Sequence, residues 1–172
     1  YESFKQKNKL ITSGKQLEEI KTIGKRIENS VSKFFLNKNE SDPTEGFQWD
    51  YILVNNDKVK NAWCMPGGKI AFYSGILPIA KNDDGIASIM GHEIAHAVAR
   101  HSAERMSRAM LIDTGKYALE AFVLGQRLPS ISRQLRTYGL DLPFNRSQES
   151  EADYLGIIFS NLGGYNIDES YK

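Results

Sequence analysis

Apolar residues recur at three- and four-residue steps across positions 13–35, where Leu17, Ile20, Ile23, Ile27, Val31 and Phe34 are separated by Lys, Glu and Asn. Wound at roughly 100° per residue, these side chains form one stripe, so the segment is an amphipathic helix with one face on a core and its charges in solvent. The polar run at 37–46, NKNESDPTEG, reads as a loop. From 47 to 79 the period falls to two. Segments 49–54, 59–64 and 69–73 read as three short strands, joined by turns at Asn55-Asn56-Asp57 and Pro66-Gly67-Gly68. An edge strand of such a sheet can pair with an extended peptide through its backbone, but NAWCMPGG at 61–68 reads equally well as a plain hairpin.

Helical spacing returns after Asn82, a residue suited to cap an N-terminus, with Asp83 and Asp84 favoured by the dipole there. Ile86, Ile89, Met90, Ile94 and Val98 mark the apolar positions, and Arg100, Arg105 and Arg108 lie toward the other end. This segment also holds His92, Glu93 and His96, in the order H-E-x-x-H. Positions 92 and 96 lie about 40° apart on one helical face, so two imidazoles can grip one metal ion. Zinc suits neutral imidazole nitrogen, and Glu93 is placed to take a proton from an attacking water. A chain with three histidines shows this pentapeptide by accident about once in several hundred sequences. A buried structural pair would need three polar partners in an apolar helix, where unpaired polar groups are costly. His101 does not fit the extended pattern that carries a third histidine, because Ala99 and Ser102 stand where Gly and His are required. It reads as a surface histidine or one that supports a ligand from behind.

Residues 112–124 can continue as helix, 125–143 mix Gly, Pro, Ser and Arg, and 126–144 read as a loop or a poorly formed helix, of a length often found in lids and disordered segments. Asn145 and Gln148 then resemble a capping box, so a new helix is expected to start there. It opens with Glu149, Ser150, Glu151, Ala152 and Asp153. Glu149 and Asp153 share a face, whereas Glu151 points elsewhere. Two histidines need a third protein ligand if zinc is to keep one position open, and Glu149 is the choice; Asp153 is then placed to hold the outer nitrogen of a ligating histidine. An acidic helix start favoured by the dipole explains the same residues without a metal.

Composition narrows the classes. The 172 residues suit one domain with a real core, and 22 basic against 21 acidic side chains leave no basic stripe that would mark a nucleic-acid binder. The lone Cys64 excludes an internal disulfide and a cysteine zinc cluster. No apolar run approaches the roughly 18 residues of a membrane span. The chain opens on Tyr1 rather than Met, which leaves a removed signal peptide, lipoprotein leader or membrane anchor open.

H-E-I-A-H at 92–96, R-H-x-x-E-R at 100–105, N-A-W-C-M-P-G-G at 61–68 and E-S-E-A-D-x-x-G at 149–156 together resemble the HtpX-like zinc metallopeptidases, which include the CAAX prenyl endopeptidases and the periplasmic protease BepA. The resemblance covers residues 20–165. It implies an α+β gluzincin fold, mainly helical, with a small three-stranded sheet beside the active-site helix. It implies one Zn2+ held by His92, His96 and Glu149, with Glu93 catalytic and Asp153 behind a ligand. It also implies an edge strand of Asn61, Ala62, Trp63, Cys64 and Met65 that binds substrate backbone. Such a domain, 1–172 or part of a longer protein, acts as an endopeptidase on extended or misfolded segments in protein quality control. The expected setting is the periplasm or cell envelope, as a lipoprotein or through a missing anchor, or else a mitochondrial membrane. The usual oxyanion-stabilising side chain beyond the third ligand is not evident. Arg146 is placed first for it, ahead of Tyr154, Tyr165 and Tyr138, and the group can also lie past Lys172. That gap supports a rival, a latent protease that grips peptides as a chaperone or assembly factor.

Overall fold

A computed structural model describes residues 1–102, 104, 107, 142–166 and 168. Its elements run α1 (Glu2–Lys7), β1 (Leu10–Ile11), α2 (Lys15–Asn37), β2 (Asp50–Val54), β3 (Ala62–Met65), β4 (Lys69–Tyr73), a 3-10 turn (Ser74–Ile76), α3 (Leu77–Ala80), α4 (Asp83–Val98) and α5 (Leu142–Leu162). The helix expected at 112–124 lies outside the described residues, as does most of the loop expected at 126–144.

The sheet has four strands in the order β1-β2-β4-β3, one more than the pattern of alternation suggested. The addition is the two-residue β1, antiparallel to β2 with Leu10 opposite Val54, too short for its period to be read. β2 and β4 are parallel, and β3 returns against β4 as a hairpin. Gly67 and Gly68, at φ 90° and 84°, supply the left-handed turn that a side chain would resist. β3 begins at Ala62 rather than at 59, because Val59 closes a turn onto the Asn56 carbonyl instead of pairing.

Alternation divides the sheet into two faces. Leu53, Ile70, Phe72 and Ala62 look toward α2, α4 and α5, where they meet Ile20, Ile27, Val31, Met90, Ile94 and Phe159 in the main core. Ile52, Val54 and Ala71 look the other way, under Tyr1 and Phe4 of the N-terminal segment. Burial opposes the charge on Asp50, yet hydrogen bonds from Tyr1 and Lys5 hold its carboxyl below the usual range and tie α1 down.

α2 buries the expected stripe of Leu17, Ile20, Ile23, Ile27 and Val31. Gly24 admits the Tyr51 ring, which would lie 2.1 Å from an added Cβ. α4 starts as the sequence indicates, with the Asn82 side chain accepting from Gly85 N at 2.9 Å. The helix expected to start at Asn145 does not start there. α5 begins one turn earlier at Leu142, where Pro143 fits a first helical turn that needs no N–H from it. Gln148 instead sits buried, its amide donating to the Glu104 carboxylate at 2.9 Å.

Candidate metal centre

Two helices make the site by touching at glycine. Gly91 precedes His92 on α4 and faces Gly156 of α5, so closely that a Cβ on Gly156 would lie 2.7 Å from the His92 backbone nitrogen and one on Gly91 would lie 2.6 Å from the Gly156 carbonyl. The Ser160 hydroxyl fastens the same crossing by donating to the Ala87 carbonyl at 3.0 Å. Gly in a helix interior costs about 1 kcal/mol relative to Ala, so its presence signals close packing. That signal was available in the sequence and identifies Gly91 and Gly156 as the residues that bring the acidic turn of α5 over the histidines.

Three donor atoms converge there. His92 Nε2 and His96 Nε2 lie 3.1 Å apart, and Glu149 Oε2 stands 3.4 Å from the first and 3.5 Å from the second. All lie within 4.8 Å of one another. The edge of a tetrahedron with zinc-to-ligand bonds near 2.0–2.1 Å is about 3.3–3.4 Å, so the triangle has the size that a tetrahedral ion requires. The donor chemistry agrees, since two imidazoles and one carboxylate are an established catalytic set that leaves a fourth position open. These residues fit the metal.

Acids of α5 also meet the outer sides of the rings. Asp153 Oδ1 lies 2.9 Å from His92 Nδ1. Glu151, which the helical wheel turns away from Glu149, lies with Oε2 3.2 Å from His101 Nε2. His101 is 1% exposed and its Nδ1 stands 2.8 Å from His96 Nδ1, so it lies behind the His96 ring rather than on the surface.

The expected substrate strand is placed in parts. β3 runs along α4 with β4 on one side and no strand on the other among the described residues. Tyr73 N donates to the Asn61 carbonyl, which makes Asn61 and Tyr73 a hydrogen-bonded pair. Antiparallel alternation then gives Trp63 and Met65 to β4 and leaves the backbone groups of Ala62 and Cys64 on the open edge. The Cys64 side chain points to the α4 face, close to Glu93: burial, with the Glu93 charge beside it, pushes the thiol up to about 12. A protonated thiol of this kind is no nucleophile at neutral pH. The Trp63 ring is not brought to the site. It packs on the far face against Phe4 at 5.1 Å and Tyr1 at 6.3 Å. Asn61 and Met65 are exposed. Arg146 is exposed on α5, one turn before Glu149, and Tyr154 is exposed beside Asp153. Tyr165 is buried with its ring against Arg26, and Tyr138 lies outside the described residues.

The comparison with known families decides the affiliation: the model described as peptidase family M48 matches residues 23–172. The chain belongs to peptidase family M48. Among its M48 relatives, Mitochondrial metalloendopeptidase OMA1 of Saccharomyces cerevisiae is 38% identical over 131 residues, 74% of this chain and 36% of that protein. The protein of the same name in Arabidopsis thaliana is 38% identical over 122 residues, 71% of this chain and 24% of that one. The Beta-barrel assembly-enhancing protease of Escherichia coli K12 is 30% identical over 126 residues, 67% of this chain and 25% of that protein. This M48 chain thus spans about a quarter to a third of the length of these relatives. No helix among its described residues is long and apolar enough to cross a membrane.

Proposed function

We propose that residues 1–172 act as one catalytic domain, a zinc endopeptidase that cuts extended or misfolded protein segments. The observation that carries this reading is the triangle of His92, His96 and Glu149 donors with Glu93 on the same helix and an open strand edge alongside. Bound zinc would supply Lewis acidity toward a scissile carbonyl and toward water. Glu93 accepts the proton released by the attacking water and passes it to the leaving amine. The backbone groups of Ala62 and Cys64 hold the substrate as an added strand, with Asn61 and Met65 at its ends. Asp153 fixes the His92 ring, and Arg146 is the residue we assign to the oxyanion, since a cation one turn from Glu149 can swing over the site. Protein quality control at the cell envelope fits the relationship to the β-barrel assembly-enhancing protease, and a mitochondrial membrane fits the relationship to the OMA1 proteins.

Elemental analysis paired with casein hydrolysis tests the reading. We expect one zinc per chain, with hydrolysis by the wild type and none by Glu93→Gln. Near-normal cleavage by Glu93→Gln removes Glu93 as the base, and a metal-free wild type removes the centre altogether. Zinc without hydrolysis in either protein favours a latent peptide binder. Glu149→Ala is expected to weaken zinc binding beyond the about 10- to 100-fold that loss of an outer partner causes, measured by chelator competition.

A further inference from the structure

Uninterrupted α-helix from His96 would carry His101 about 140° around the axis, away from the site. The chain avoids this at two residues. Ala99 closes α4 at φ −75° and ψ −1°, and Arg100 takes φ 57°, a left-handed conformation that a residue with a side chain rarely adopts. The reversal folds His101 back beneath His96, where its two ring nitrogens face His96 Nδ1 on one side and Glu151 on the other.

We propose that Glu151, His101 and His96 form a hydrogen-bonded line that holds His96 in the tautomer able to bind metal; this rests on the zinc reading above. Two ring nitrogens 2.8 Å apart share one hydrogen between them. The Glu151 carboxylate only accepts, so His101 Nε2 carries the hydrogen that points to it. Neutral His101 then has a bare Nδ1, which accepts from His96 Nδ1–H. His96 Nε2 is left with its lone pair aimed at the space shared with His92 Nε2 and Glu149. The opposite assignment places a hydrogen on His96 Nε2 and closes it to a metal. His92 receives the same instruction in one step, from Asp153 directly. Three acids within five residues of α5 therefore divide the work: Glu149 faces the ion, Asp153 orients His92, and Glu151 orients His96 through His101. His101 and Glu151 are positioning residues.

The test measures zinc affinity by chelator competition, with the melting temperature of the metal-free protein beside it, for the full chain and for Glu151→Ala, His101→Asn and His101→Phe. Loss of an outer partner typically costs about 10- to 100-fold in metal affinity, and His101→Phe is expected in that range. His101→Asn should recover most of it, because its side-chain oxygen accepts from a position close to that of Nδ1. Glu151→Ala should bind zinc about tenfold more weakly, toward the lower end of that range, with its metal-free melting temperature unchanged, since the Glu151 side chain is 57% exposed. Zinc binding by Glu151→Ala within twofold of wild type overturns the proposal, and so does His101→Asn binding no better than His101→Phe. Should the buried phenylalanine prevent folding, Glu151→Ala decides alone. A wild-type chain that holds no zinc removes the metal centre itself, whereas a zinc-binding wild type with indifferent variants removes only the line.

Discussion

α2 and α4 are neighbouring helices in one core, and they use polarity in opposite ways. α2 buries a single stripe and turns its Lys and Glu side chains outward, where water solvates them. Its buried charge, Glu28, is satisfied locally by Lys25 Nζ at 2.6 Å and by the Tyr51 hydroxyl, one partner on each carboxylate oxygen. α4 buries about half of its circumference, and His92, Glu93 and His96 lie half-buried on the remaining side, where α5 and β3 pack. There, polar side chains converge on one another across the contact between α4 and α5. The difference teaches that a polar residue on an outward face speaks of solvation, while a convergent set on a covered face speaks of chemistry.

Changes in each helix should separate these roles. Glu93→Gln should lower turnover on casein by about 10²- to 10⁴-fold, the range for loss of a general base, while leaving the melting temperature of the metal-free protein unaltered. Ile20→Ala empties a site at 0% exposure and should cost about 2–5 kcal/mol in denaturant unfolding, with one zinc per chain still bound at temperatures where the protein stays folded. If Ile20→Ala abolished zinc binding in the folded protein, the division between scaffold helix and chemical helix would fail. Gly156→Ala sharpens the boundary, because it sits where stability and site meet. The added methyl, 2.7 Å from the His92 backbone, should cost about 1–3 kcal/mol and also weaken zinc binding, as the crossing opens.

The smallest effect is expected where α1 is tied to β2, on the sheet face turned away from α2 and α4. Asp50 is held below its ordinary range, so its contribution to stability is complete above the unfolded carboxylate value of about 3.9 and is lost as pH falls through the lower folded value. Asp50→Asn should therefore flatten the acid limb of a stability-versus-pH curve and leave zinc stoichiometry unchanged at neutral pH. An identical acid limb would mean that Tyr1 and Lys5 do not hold that carboxyl.

Periodicity made α2, β2, β4 and α4 legible because each is long enough to repeat a period against a covered face. β1 escaped because two residues have no period. The start of α5 escaped because Asn145 and Gln148 match a capping pattern in the sequence, whereas the helix already runs from Leu142. At the site, the four-residue spacings of His92 with His96 and of Glu149 with Asp153 placed each pair on a common face, since helical geometry fixes such relations locally. The Trp63 ring lies apart from the site for a local reason as well: strand alternation turns it away from the helix that its neighbours Ala62 and Cys64 face.

By itself, then, the sequence determined what each helix could present, and it carried the family affiliation in those same spacings. Tertiary structure decided which presented groups meet. The contact of Gly91 with Gly156 joins positions 65 residues apart in a chain of 172, and no local rule states that pairing. The left-handed turn at Arg100 likewise sends His101 inward, against the helical path that its own spacing implies. Both are settled by close packing between segments, which acts on distances in space and leaves no period in the chain.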